Sequence, residues 1–171
     1  DRCGHLASFI SNLAQVIRIP EPTFSLISLN EQARSVYSLT SIECRQRNIE
    51  LSLSLTDNDQ YINVDGIQFE QVLVNIIKNA YEAIGENGRI KISTHHSPLS
   101  IIIEDNGPGI SEEAKQKLFT PFFTTKSSGQ GIGLMFVREV LTNHRCRFSL
   151  STEEGYTRFK IFFPTADGTY S

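Results

Sequence analysis

The stretch from Gly66 to Ile84 constrains the fold of this chain more than any other. Phe69, Val72, Leu73, Ile76, Ile77, Ala80, Ala83 and Ile84 recur at three- and four-residue intervals and form one apolar stripe. Gln71, Asn75, Lys78, Asn79 and Glu82 fall on the other side. Asp65 can cap the start, and Gly85-Glu86-Asn87-Gly88 ends the run. A helix this one-sided must cover an apolar surface, and the segments around it supply one. Ile49, Leu51, Leu53 and Leu55 alternate with polar residues, as in a strand with one buried face. Tyr61 to Val64 reads as a short strand. Arg89–Thr94 and Leu99–Glu104 read as two more, joined by a turn at His95-His96-Ser97-Pro98. Arg147–Ser151 and Arg158–Phe163 complete the set. The strands at Ile49, Arg89, Leu99, Arg147 and Arg158 fit one mixed sheet with helices on one face, an α+β arrangement.

Further helices are expected on either side. Leu6, Phe9, Ile10, Leu13 and Ile17 recur at helical spacing until Pro20 and Pro22 end the pattern. A loop then leads to Asn30, read as the N-cap of a helix reaching about Arg47, with Glu31 in its first turn. A short helix, Ser111–Leu118, takes Ser111 as its cap, and another spans Ile132–Asn143. Between them, Thr124 to Gln130 is polar, carries Gly and Ser, and has no apolar period, which predicts a mobile loop.

Composition removes several function classes. Sixteen basic against nineteen acidic residues give a net charge of −3, unlike a general nucleic-acid or anionic-membrane binder. No apolar run approaches the ~18–20 residues that span a bilayer. The opening Asp1-Arg2-Cys3-Gly4-His5 has neither an initiator Met nor a signal-peptide pattern, and reads as a cut inside a longer protein. Cys3, Cys44 and Cys146 are odd in number and lack metal-ligand spacing, so they read as free thiols in a reducing compartment.

Four short motifs carry the chemistry. Asn75-Ile76-Ile77-Lys78-Asn79-Ala80-Tyr81-Glu82-Ala83 puts two asparagines one turn apart on the polar face of the long helix. Asparagine is a poor helix-interior residue, and its neutral carbonyl oxygen suits a hard cation such as Mg²⁺ that is otherwise held by phosphate and water. Two solvated asparagines are the plainer alternative for this motif alone. Asp105-Asn106-Gly107-Pro108-Gly109-Ile110 follows the apolar run Ile101-Ile102-Ile103. The acceptor-only carboxylate of Asp105 can take the exocyclic amine of adenine, where guanine carries a carbonyl. Phe119-Thr120-Pro121-Phe122-Phe123-Thr124-Thr125-Lys126 crowds aromatics beside the polar loop, where Lys126 can reach phosphate as a point charge. Gly129-Gln130-Gly131-Ile132-Gly133-Leu134 opens a helix, whose N-terminal amides favour anions. It is no Walker A loop, because no Gly-Lys-Ser/Thr follows.

In this order the four motifs resemble the N, G1, F and G2 boxes of bacterial sensor histidine kinases, over roughly Asn48 to Pro164. The wording Pro121-Phe122-Phe123-Thr124-Thr125-Lys126 is most similar to nitrogen-regulation and oxygen-sensing members. The resemblance implies the two-layer α/β sandwich shared with gyrase and the MutL family, here a catalytic ATP-binding domain at 30–166. Residues 1–29 would be the remnant of a dimerisation-domain second helix with its linker, and 167–171 a tail. ATP and Mg²⁺ are the implied cofactors. The positions matching Asn79 and, in support, Asn75 hold Mg²⁺ in the family. The implied nucleotide contacts are Asn75, Lys78, Asn79, Asp105, Gly107, Gly109, Ile110, Phe122, Thr125, Lys126, Gly129, Gln130, Gly131, Ile132, Gly133 and Leu134.

Gly155-Tyr156-Thr157-Arg158-Phe159 matches the family's last strand, with Tyr156 in place of a second glycine and Thr157 approaching adenine through water. Lys78 either replaces a family lysine that reaches phosphate from the position of Glu82, or pairs with Glu82 at i, i+4, the reading preferred here. The implied partners are the protein's own dimerisation domain, with its phosphoacceptor histidine, and a response regulator. No nucleic acid and no direct membrane contact are expected, and the location would be cytoplasmic. His5, His95, His96 and His144 lack the acceptor pattern and read as exposed or capping residues. Gyrase-like ATPases carry a glutamate where this chain has Asn75, and an amide cannot serve as their general base. A hydrolytic ATPase and a non-enzymatic nucleotide-gated module are the alternatives.

Overall fold

The structure is a computed structural model that describes residues 19–117 and 133–165. Its elements are β1 (Ser25–Ser28), α1 (Leu29–Gln46), β2 (Ile49–Ser54), β3 (Tyr61–Val64), α2 (Gly66–Ile84), β4 (Gly88–His96), β5 (Leu99–Asp105), α3 (Glu112–Lys117), α4 (Gly133–Asn143), β6 (Arg147–Glu153) and β7 (Tyr156–Phe162). Five strands form one sheet in the order β2-β4-β5-β7-β6. β2 runs parallel to β4 and the remaining pairs are antiparallel. This is the mixed α+β sheet that the sequence predicts. β1 and β3 form a separate antiparallel ribbon.

Alternation along the strands divides the sheet into a helix face and a polar face. Ile90 and Ile92 of β4, Ile101 and Ile103 of β5, and Phe159 and Ile161 of β7 are buried together with the stripe of α2. Arg89 and Lys91 lie between them and are exposed. Phe69 shows how tightly the layers meet: it is fully buried and meets Phe163 edge-on, with centroids 5.4 Å apart. Truncating such a residue costs about 3–5 kcal/mol.

Three local readings are corrected. The loop expected before Asn30 contains β1, and the cap of α1 is Ser28. Ser28 is extended, and its Oγ accepts the Glu31 N–H at 3.0 Å. Asn30 is drawn inside instead: its Nδ2 donates to the Thr56 carbonyl, its Oδ1 accepts from Thr94 Oγ1, and its own N–H donates to Asp59. Four polar residues thus tie the start of α1 to the turn after β2. Second, β4 continues through His95 and His96, which leaves only Ser97-Pro98 for the turn.

Third, of the two roles expected for His144 the structure bears out capping: the residue is buried at the end of α4, not exposed. Its Nδ1–H donates to the Val140 carbonyl at 2.7 Å and its Nε2 accepts the Asp65 N–H at 3.0 Å. Burial lowers its pKa, while the Val140 carbonyl and the Asp65 carboxylate oppose that shift. The neutral ring pins the end of α4 to the start of α2. Asp65 meanwhile caps α2 as expected, accepting from the Ile67 and Gln68 amides.

Cys44 and Cys146 are free and buried, and burial pushes the Cys146 thiol up to about 12. A thiol so hard to ionise is a poor nucleophile. Among the described residues, no helix is long and apolar enough to cross a membrane. The expected helix at Leu6–Ile17, the loop at Thr124–Gln130 and Cys3 lie outside the described residues.

Candidate nucleotide site

β5 delivers Asp105 into the molecule. Ile101, Ile103 and Asp105 share one side of the strand, so the carboxylate follows two core isoleucines and is only 9% exposed. The chain then reverses, and the Gly107 N–H donates to Asp105 Oδ1 at 2.9 Å. Burial raises the pKa of the carboxyl, the Gly107 N–H works against that rise, and Glu104 adds to it. Gly109 closes the turn at φ +82°, and a Cβ there would stand 2.7 Å from Thr152 Cγ2. Backbone geometry and space both demand glycine at this position.

Asp105 opens onto a cavity of about 80 Å³. Of the residues singled out from the sequence, Asn79, Asp105, Gly109, Ile110, Leu134 and Thr157 line it. Four separate segments therefore converge on one slot. Its apolar walls were not recognised as site residues: Ile76, Ala80, Ala83, Ile103, Leu150 and Phe159. Their periodicity is that of ordinary core, and nothing in the sequence separates the two roles. Ala83 is the telling case, because it belongs to the α2 stripe yet is exposed at the mouth of the cavity. A larger groove of about 590 Å³ runs past Tyr37, Arg45, Glu50 and Arg89. It is wide open and contains none of the predicted site residues, so size does not mark the site.

Asn75 lies one turn back from Asn79, where α2 meets α4. A Cβ on Gly133 would come 3.5 Å from Asn75 Oδ1. Both asparagines are half-buried. Lys78 is exposed and stands 4.0 Å from Glu82 at i, i+4, the pairing preferred from the sequence. The donor chemistry fits a hard cation carried in by phosphate. Two amide oxygens are offered, and among the described residues no cluster of three His, Cys, Asp or Glu could hold a metal by itself. Phe122, Thr125, Lys126, Gly129, Gln130, Gly131 and Ile132 lie outside the described residues.

Ile84, the last residue of α2, wedges between the start of β4 and the loop after β5. A Cβ on Gly88 would sit 2.5 Å from Ile84 Cγ2, and one on Gly107 3.2 Å from Ile84 Cγ1. The helix bearing the asparagines is thereby keyed to the loop that holds Asp105.

A helix-covered mixed sheet, with a buried aspartate at a strand end sharing one cavity with Asn79 of α2, fits an ATPase-type nucleotide-binding domain. Residues 64–167 match the family described as histidine kinase-, DNA gyrase B-, and HSP90-like ATPase, and the chain belongs to it. Among curated relatives, the sensor histidine kinase ZraS of Escherichia coli (strain K12) is 29% identical over 158 residues, which cover 91% of this chain and 34% of that protein. The nucleotide-free catalytic domain of the histidine kinase ThkA superposes with a TM-score of 0.74 at 35% identity, covering 81% of this chain and 93% of that one. ThkA in complex with the response regulator protein TrrA gives a TM-score of 0.75 at 28% identity, over 94% of this chain and 47% of that one. The chain spans about a third of the length of ZraS.

Proposed function

We propose that this domain binds MgATP and presents its γ-phosphoryl group to a histidine on a separate helical domain of the same protein, as in sensor histidine kinases. The phosphoryl group then passes to an aspartate of a response regulator. The observation that carries this reading is Asn75, an amide at the turn of α2 that faces Gly133. A hydrolytic relative needs a carboxylate there to take a proton from water. An amide leaves the nucleotide held and the attacking group to be supplied by a partner.

In this reading Asp105 accepts from the adenine amine, and Gly109, Ile110, Leu134 and Thr157 frame the base. Asn79, helped by Asn75, would hold Mg²⁺ alongside the nucleotide phosphates. Gly107, Gly129, Gly131 and Gly133 allow close backbone approach, with Gln130 and Ile132 between them. Lys126 and Thr125 add contacts from the segment before, and Phe122 with Phe123 offers an apolar edge to the helical domain. When bound, Mg²⁺ neutralises charge on the transferring group. This chain's own contribution is positioning, because phosphoryl transfer asks for little covalent chemistry from the protein. The imidazole nitrogen of the partner forms the new bond to phosphorus as the bond to the ADP oxygen breaks.

Residues up to about Thr23 are assigned to the helical domain and its linker. The catalytic domain begins with β1, which pairs with β3, rather than at residue 30, and 167–171 is assigned to a tail. The parent is read as a homodimer whose catalytic portion works in the cytoplasm. The ThkA–TrrA complex supports a response regulator as the final acceptor.

Calorimetry with MgATP, run beside a phosphate-release assay over hours, tests the reading. Micromolar-range binding with negligible turnover is expected, and phosphotransfer is expected only when the full-length protein supplies its acceptor histidine. Sustained turnover at ordinary enzymatic rates of ~1 s⁻¹ or above would instead identify an ATPase.

A further inference from the structure

We infer that Thr152, which lies outside all four boxes, is the positioning residue that makes the cavity selective for adenine over guanine. This rests on the reading of the cavity as an adenine site. Thr152 sits on β6 directly opposite Thr157 on β7, and Thr157 in turn lies opposite Asp105 on β5. Its side chain makes three contacts at once. Its Oγ1 accepts the Ile110 N–H at 3.1 Å, it hydrogen-bonds Thr157 Oγ1 at 3.1 Å, and its methyl group occupies the space a Cβ on Gly109 would need. The loop that follows Asp105 and the hydroxyl that faces the base are thus fastened to one residue.

The polarity of this chain matters. A threonine hydroxyl has one hydrogen and two lone pairs. Either hydroxyl of the pair can be the donor; in the proposed polarity the Ile110 N–H engages one lone pair of Thr152, and Thr152 donates its hydrogen to the Thr157 oxygen. That leaves the Thr157 hydrogen to point into the cavity. Beside it stands Asp105, which when ionised only accepts. The wall then offers an acceptor and a donor side by side. Adenine matches this with its N6 amine and N1 lone pair, and guanine presents the reverse at both positions. Without Thr152 the Thr157 hydroxyl is free to turn and accept from a guanine N1–H. Asp105 would remain the acceptor for the amine, but half of the discrimination would be gone.

The experiment measures the affinity of the chain, with Mg²⁺ throughout, for ATP, GTP and 1-deaza-ATP, which lacks the N1 acceptor. It compares the native protein with Thr152→Val, which keeps the shape and removes the hydroxyl, and with Thr152→Ser, which keeps the hydroxyl. Thr152→Val is expected to weaken ATP about three- to tenfold while weakening GTP less, and to shrink the penalty for removing N1. Thr152→Ser should stay within about twofold of the native protein for every ligand. An unchanged ATP-to-GTP ratio in Thr152→Val, or a serine variant that behaves like the valine one, overturns the inference. If the native protein fails to prefer ATP over GTP, the adenine reading itself is wrong, which is a separate outcome.

Discussion

The two ends of the proposed nucleotide site are built on opposite plans. At the base end, strands do the work: Asp105, Thr157 and Thr152 stand in register across β5, β7 and β6, and hydrogen bonds from Gly107 and Ile110 lock the intervening loop. At the phosphate end, two helix surfaces face each other, with half-buried Asn75 and Asn79 on one and Gly133 on the other. The base end is complete in the protein alone, down to a carboxylate held in an unfavourable, buried setting. The phosphate end offers amide oxygens that a metal-bound phosphate would finish. On the proposed reading the base contacts are preorganised within the protein, whereas the described part of the phosphate end, Asn75 and Asn79, is completed by the bound metal and phosphate.

The sharpest way to break this contrast is Asp105→Ala. Losing a hydrogen bond with a charged acceptor costs roughly 1.5–3 kcal/mol, so ATP affinity should fall about 10- to 100-fold, with the Mg²⁺ dependence intact. Unchanged affinity would mean that the base binds elsewhere. Because burial raises the Asp105 pKa, acidification should begin to weaken ATP binding above the ordinary carboxylate range, and this early onset should vanish in the variant.

Next in size is a pair of glycine substitutions. Gly109→Ala forces a side chain into positive φ and against Thr152, and should cost about 2 kcal/mol, several degrees of melting temperature. Gly133→Ala meets only ordinary contact and should change stability by less than ~0.5 kcal/mol. Equal melting of the two variants would show that the base loop is no more rigid than the helix contact.

Asn79→Ala probes the other end. The gain in nucleotide affinity from Mg²⁺ should fall about tenfold, roughly 1.4 kcal/mol, with little change in melting. A variant that melts many degrees lower while keeping its Mg²⁺ response would make Asn79 a structural residue.

The smallest effect concerns the clasp between the two helices. His144 has a lowered pKa when folded, so between that value and its ordinary one near ~6.5 the unfolded chain binds more protons. Stability should therefore fall as pH drops below this ordinary value. Thermal melts of His144→Gln should show a flatter pH dependence, and an identical slope would place the titrating group elsewhere.

The contrast also explains how much could be read from the chain alone. α2 was legible to its last residue, because a one-sided helix between Asp65 and Gly85 has period, cap and stop in agreement. The mixed sheet followed from alternation at Ile49 and in the strands after it. Asp105 stood out as a charge after three isoleucines. β1 did not, because four residues whose only strong partner is β3 have no periodicity of their own. Asn30 was mistaken for the cap because its true partners, Thr56, Asp59 and Thr94, are 26, 29 and 64 residues away. Thr152 was invisible for the same reason: nothing about a threonine in a strand reveals that Ile110, 42 residues earlier, points its N–H at it. What a residue does through its own chemistry can be read locally, whereas what it does by holding a distant neighbour cannot.

The wedge formed by Ile84 carries a consequence for descent. Positions 84, 88 and 107 share one small volume, and a side chain larger than hydrogen at either glycine meets the isoleucine. A side chain at position 88 needs Ile84 to shrink or shift, whereas one at position 107 first meets the Asp105 carboxylate at 2.9 Å, which no change at position 84 relieves. Positions 84 and 88 should therefore drift as a linked pair across an alignment of relatives: wherever a side chain appears opposite Gly88, a residue smaller than isoleucine should stand opposite Ile84.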